Sequence, residues 1–217
     1  MNYVLRYSRS KILKIIWCFA RLFVPLHYVI RDSRIANWKY KAMKQNGMKP
    51  QDVVVLMKKI TPQGQTMLNK DIATSLGISA SEVSEAMERS RVAQLVDSTK
   101  TRINTLALKD FLISGLRYVF PIQPGALVRG VPTAVSAAPI SQYVTSGNEM
   151  FVWPYKKGTM RGQAITPLYS TIPEAVKKDE DLYKLLVIAD TLRMGRVRER
   201  DVAIQELDKY IAAYGNQ

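Results

Sequence analysis

Apolar positions recur at helical spacing through most of the chain after Met48. In Asp52–Ile60, Val53, Leu56, Met57 and Ile60 fall at i, i+3, i+4 and i+7, which predicts an amphipathic helix. In Asn69–Leu76, Ile72, Ala73 and Leu76 share a face, and Asn69 is placed to cap the start. Gly77 stands where a helix ends in the left-handed conformation, which glycine adopts without steric cost. Ser79-Ala80-Ser81-Glu82 then spells a capping box, and Val83, Ala86 and Met87 give the next helix its buried face. Ile78 is the apolar plug of the corner between the two helices. Ala93–Val96 and Ile103 flank a polar, basic tip at Asp97–Arg102, the pattern of a small hairpin.

Further on, Leu108, Phe111, Leu112, Gly115 and Val119 line one side of a predicted helix over Leu106–Val119. Leu106, Ile113 and Leu116 make its other side apolar too. A helix apolar nearly all round is buried in a core or shared with another subunit. Near the end, Leu182, Leu185, Leu186, Ala189 and Leu192 predict a helix that Gly195 interrupts. Val197, Ile204, Leu207 and Ile211 predict a last one ending near Tyr214-Gly215.

Helix, helix, tight turn, helix and hairpin in this order resemble the winged-helix domains of bacterial transcription regulators of the MarR kind. The stretches that carry the resemblance are KDIATSLGISASEVSEAMERS and VAQLVDSTKTRIN, within about residues 50–105. The resemblance implies double-stranded DNA as partner, with the helix after Gly77 entering the major groove. Ser79, Ser81 and Ser84 are then short donors at its start, and Glu85 can accept from a cytosine amino group. Arg89 and Arg91 are placed to reach phosphates, and Lys100 and Arg102 form the hairpin tip. Glu82 belongs to the capping box. Glu88 has no role in such a docking, and its charge opposes phosphate.

Between the two helical parts the texture changes. Seven of the ten prolines and five of the eleven glycines fall in Pro121–Pro173, and periodicity fades. Large apolar residues remain frequent, so an ordered, loop-rich layer over helices is expected. Two similar phrases stand in it, Arg129-Gly130-Val131-Pro132-Thr133-Ala134 and Arg161-Gly162-Gln163-Ala164-Ile165-Thr166-Pro167. Arg129 and Arg161 can hold an anion or a partner's carboxylates, with Trp153 beside them as a candidate contact; structural ion pairs are the alternative. Arg193, Arg196, Arg198 and Arg200 cluster around Gly195, either toward phosphates or in pairs with Glu199, Asp201 and Glu206.

Charge adds to the case for an anionic partner. The formal net charge is +14, of which +9 lies in residues 1–47 and +5 in the rest. The first segment also holds Cys18 and His27, the sole residues of their kinds, and reads as a separate object. Its apolar run, Lys11–Ile30, is broken by Lys14, Arg21, His27 and Pro25, which disfavours a membrane span. Two expectations remain: a basic interfacial anchor, or an extension the folded protein does not need, with Met48-Lys49-Pro50 opening the fold.

Catalytic chemistry has no support. After Met48 there is no His and no Cys, and no phosphate-binding loop, nucleophile elbow or zinc-protease motif occurs. No metal or cofactor is expected. The expected fold is α+β, mostly α. A basic extension (residues 1–47) precedes an N-terminal winged helix-turn-helix with its linking helix (48–119) and a loop-rich, helical C-terminal domain (120–217). The expected function is that of a cytoplasmic, homodimeric, sequence-specific DNA-binding regulator, a repressor. The alternative is an antitoxin-like module that neutralises a protein encoded nearby and autoregulates its operon.

Overall fold

In the computed structural model, which describes residues 47–144 and 149–214, helix α1 runs over Pro50–Ile60. Pro50 sits in the first turn, where a missing N–H is harmless. The Asp52 carboxylate accepts from the Lys49 N–H at 2.8 Å. The turn α2 (Pro62–Thr66) starts at Thr61, whose hydroxyl accepts from the Gly64 N–H at 3.0 Å. Helix α3 (Asn69–Leu76) is capped one residue earlier than expected, with Leu68 at the cap and the Asp71 carboxylate accepting the Leu68 N–H at 3.3 Å. It ends at Gly77 in the left-handed conformation, φ 66° and ψ 37°. Helix α4 (Ala80–Val92) restarts from Ser79. The Ser79 hydroxyl accepts from the Glu82 N–H at 3.2 Å, and the Glu82 carboxylate accepts from the Ser79 N–H at 2.9 Å.

The hairpin that follows is minimal. Val96 and Ile103 form one antiparallel bridge. The Asp97 carboxylate gathers the tip, accepting the Thr101 and Arg102 N–H groups at 2.9 and 3.0 Å.

The next helix is α5 (Thr105–Asp110), a π-helical turn (Phe111–Gly115) and α6 (Leu116–Val119). It is buried on one face and not all round. Leu108, Leu112 and Leu116 are buried, whereas Leu106, Tyr118 and Val119 are exposed.

The loop-rich layer contains a sheet that apolar periodicity did not predict. Strands β1 (Leu127–Pro132), β2 (Phe151–Pro154) and β3 (Met160–Ala164) each pair with the other two, closing on themselves. The two Arg-Gly phrases lie in β1 and β3, which run antiparallel with Arg129 opposite Arg161. Closure needs close backbone approach: a Cβ on Gly130 would lie 2.0 Å from the Trp153 carbonyl oxygen. Short strands with glycine and proline inside carry no clean alternation, which is why they read as loop.

The short helix α7 (Ile172–Ala175) leads to α8 (Glu180–Met194) and α9 (Val197–Tyr214). Leu182, Leu185, Leu186, Ala189 and Leu192 are all buried, as are Ala203 and Leu207, but Val197 is 75% exposed.

Met48–Gln217 form one compact unit, and one apolar cluster joins Val53–Met57, Val83 and Met87 to Leu112, Trp153 and Leu185–Ala189. The boundary drawn at 119/120 therefore marks a change of texture inside that unit, and not a break in packing. The fold is α+β and mostly helical. Among the described residues no helix is long and apolar enough to cross a membrane. The expectations for the first 46 residues lie outside the described residues.

Candidate nucleic-acid interface

Helix α4 buries Val83, Ala86 and Met87 and turns Ser81, Ser84 and Glu85 outward. This follows from the helical period: Val83, Ala86 and Met87 share one face at i, i+3 and i+4, and Ser81, Ser84 and Glu85 share the opposite one at the same spacing. The corner that aims α4 is braced from far along the chain. The Thr171 hydroxyl donates to the Leu76 carbonyl at 2.6 Å, satisfying one of the free carbonyls at the end of α3. The Tyr169 hydroxyl donates to Glu82 at 3.4 Å. Sequence reasoning missed both residues. Each lies about ninety positions from its partner, and a lone Thr or Tyr in a proline-rich stretch carries no local signal.

Several expected contact residues have other partners. The Ser79 hydroxyl is occupied within the cap, donating to Glu82 at 2.8 Å with Ser81 Oγ at 3.1 Å. Arg89 does not face solvent: it is 7% exposed and holds the fully buried Asp52 through two parallel hydrogen bonds, 2.8 Å from Nε and 2.7 Å from Nη2. The physical reason is position, because Arg89 falls on the α4 face that meets α1, with Val83, Ala86 and Ser90. Its outer nitrogen also touches Glu85, at 3.5 Å.

Arg91 and Lys100 converge on one carboxylate, Glu88, at 2.6 and 2.7 Å. Glu88 thus acquires the role the sequence left blank: it ties the hairpin tip to the last turn of α4. The Arg91 hydrogen bond, then that of Lys100, lowers its carboxyl to about 2. Asp97 is likewise lowered to about 2, first by the Thr99 hydroxyl and next by the Arg102 N–H.

Arg102 is exposed and has no acidic partner among the described residues. It lines an open cleft of about 400 Å³ between the end of α4 and the hairpin, with Arg91, Gln94, Asp97 and Asn104. The structure therefore brings Ser81, Ser84, Glu85, Arg91, Lys100 and Arg102 to one side of the α4–hairpin unit. It removes Arg89 to the core and holds Ser79 in the cap. Three cations there, Arg91, Lys100 and Arg102, stand against three carboxylates, Glu85, Glu88 and Asp97, so the surface is close to neutral.

The second expected site divides. Trp153 is not a surface contact: it is 1% exposed, and its Nε1–H donates to Asp190 at 2.7 Å. Thr133 and Arg193 complete the set around Asp190, at 2.9 and 2.8 Å, and Arg193 also donates to the Phe120 carbonyl at 2.8 Å. Burial pushes the Asp190 carboxyl up, and Arg193 with the Trp153 and Thr133 donors pulls the other way. Arg193 is thereby withdrawn from the cluster around Gly195. In that cluster, the Arg196 N–H is held by Glu199 and its guanidinium lies 3.4 Å from Glu149. Arg129 and Arg161 are both exposed, and neither has a carboxylate partner among the described residues.

Compared with protein-family models, with curated proteins and with solved structures, the chain matches none of them.

Proposed function

We propose that residues 48–119 form a winged helix-turn-helix and that the chain is a sequence-specific DNA-binding repressor, acting as a homodimer. The observation that carries this reading is the corner: a left-handed Gly77, a reciprocal cap at Ser79, and Ser81, Ser84 and Glu85 on the exposed start of α4. With that end in a major groove, the two hydroxyls read base edges and Glu85 accepts from a cytosine amino group. The hairpin then lies over the adjacent backbone, where Arg102 has no acidic partner among the described residues and Arg91 and Lys100 are shared with Glu88.

Exchanging an exposed ion pair for a phosphate contact changes the free energy little, since such pairs contribute about 0–1 kcal/mol. Affinity then rests on Arg102 and on base contacts, and its salt dependence is shallow. Fluorescence anisotropy tests this, with duplex from upstream of the gene and random duplex between about 50 and 200 mM salt. The upstream duplex binds more tightly, and Ser81→Ala with Ser84→Ala removes the difference. Lys100→Ala with Arg102→Ala weakens both and flattens the salt slope by about one phosphate contact, that of Arg102. A parent protein that binds neither duplex at low salt refutes the reading.

The neutralising role of Glu88 favours a second reading, in which the same unit docks a protein. It predicts no DNA binding at low salt and co-purification with the product of an adjacent gene.

A further inference from the structure

We infer that the outer face of the three-stranded sheet, centred on Arg129 and Arg161, is a docking surface for an acidic segment of a protein partner. The inference rests on neither reading of residues 48–119. Arg129 and Arg161 are direct partners across β1 and β3. Directly opposed residues of an antiparallel pair project to the same face, with Cβ atoms about 5 Å apart, and like charges so placed repel. Both side chains are exposed, and no acid among the described residues relieves the repulsion. Lys156 and Lys157 in the turn between β2 and β3 are exposed as well. Glu174, the carboxylate near that turn, is already held by Lys177 at 2.8 Å and the Tyr155 hydroxyl at 2.6 Å.

The charge of the arginine pair is thus one-signed, and no carboxylate among the described residues offsets it. Two guanidinium forks side by side match two carboxylates, each able to take paired hydrogen bonds. Carboxylates at i and i+2 of an extended segment are about 7 Å apart on one side, within reach of both arginines. The three described strands close on one another, which leaves little strand edge among them for a peptide to extend, and recognition falls to side chains.

Leu127 decides between a protein and a nucleic acid. It lies on the same face as Arg129, opposite Gln163, and is 69% exposed. Arginine beside an exposed apolar residue fits a protein-binding patch, in which arginine is enriched. A phosphate backbone offers Leu127 nothing to cover it.

The test uses the full chain and three labelled probes in anisotropy: a short peptide of alternating Glu and Ser with one central Leu, the same peptide with Lys for Glu, and a random DNA duplex. The acidic peptide binds the parent, and Arg129→Gln with Arg161→Gln weakens it by about tenfold or more, as expected for two lost charge-assisted contacts. Arg129→Glu with Arg161→Glu transfers binding to the Lys peptide. Because the pair is mutually repulsive, the Gln variants melt at the parental temperature or about 1–2 °C above it. The inference is overturned if the parent ignores the acidic peptide, or if the Gln variants bind it unchanged. It is equally overturned if their loss falls on the duplex instead, which would make the face a phosphate surface. A melting temperature lowered by several degrees would show the arginines to be structural.

Discussion

Arg89 separates a surface reading of α4 from the packed one. As a phosphate contact, it would be removable with no effect on stability and a clear loss of DNA affinity. Among the described residues it is the sole cation holding Asp52, a carboxylate with no exposure. Arg89→Ala leaves that carboxylate in the core with a single donor among the described residues, the Lys49 N–H. Breaking a buried pair from one side costs about 3–5 kcal/mol, because the remaining charge stays desolvated and uncompensated. For a unit of this size each kcal/mol moves the melting temperature by about 2–4 °C, so a fall of about 6–20 °C is expected. Replacing both partners, Asp52→Leu with Arg89→Met, removes the charge and the demand for it together, and recovers most of the loss. Differential scanning calorimetry of the parent, Asp52→Leu, Arg89→Met and the double variant closes the cycle and isolates the coupling of the pair. If the proposed DNA binding holds, Arg89→Ala below its melting point retains whatever DNA affinity the parent shows. A melting temperature within about 1 °C of the parent would place Arg89 in solvent and refute the reasoning, since exposed pairs contribute little.

Gly77→Ala costs about 1 kcal/mol or more, measured by urea unfolding. The cause is its φ of 66° and not crowding, since an added Cβ meets nothing closer than Thr171 Cγ2 at 3.6 Å. Gly77→Asn is milder, because Asn tolerates that conformation. Trp153→Phe removes one donor from the buried Asp190 and lowers stability by about 1.5–3 kcal/mol, the range for hydrogen bonds to charged groups. An unchanged calorimetric melt would show that Thr133 and Arg193 suffice. For Glu88 the folded-state carboxyl is depressed to about 2, so its contribution is complete above the ordinary glutamate range and is lost as pH falls toward 2. An NMR titration should find that low midpoint, and Arg91→Ala with Lys100→Ala should return it to the ordinary range.

Much of the helical skeleton is local, and for that reason it was legible. The period of Val53, Leu56, Met57 and Ile60, the glycine at 77 and the Ser79–Glu82 box depend on neighbours within about one or two turns, so the residues themselves specify them. The same holds for α8 and α9 and for their break at Gly195. What sequence alone could not decide is which charges are free. Arg89 and Arg91 are two positions apart on one helix, yet one meets Asp52 in the core and the other meets Glu88 at the surface. Trp153 and Arg129 stand in one stretch, yet one is buried on Asp190 and the other is exposed. Thr171 reaches Leu76 only because α7 packs near the end of α3. Local pattern determined which residues turn toward a core. The assembled chain alone decided which polar group each would meet there, because a buried charge must find its partner in space, at whatever distance along the chain.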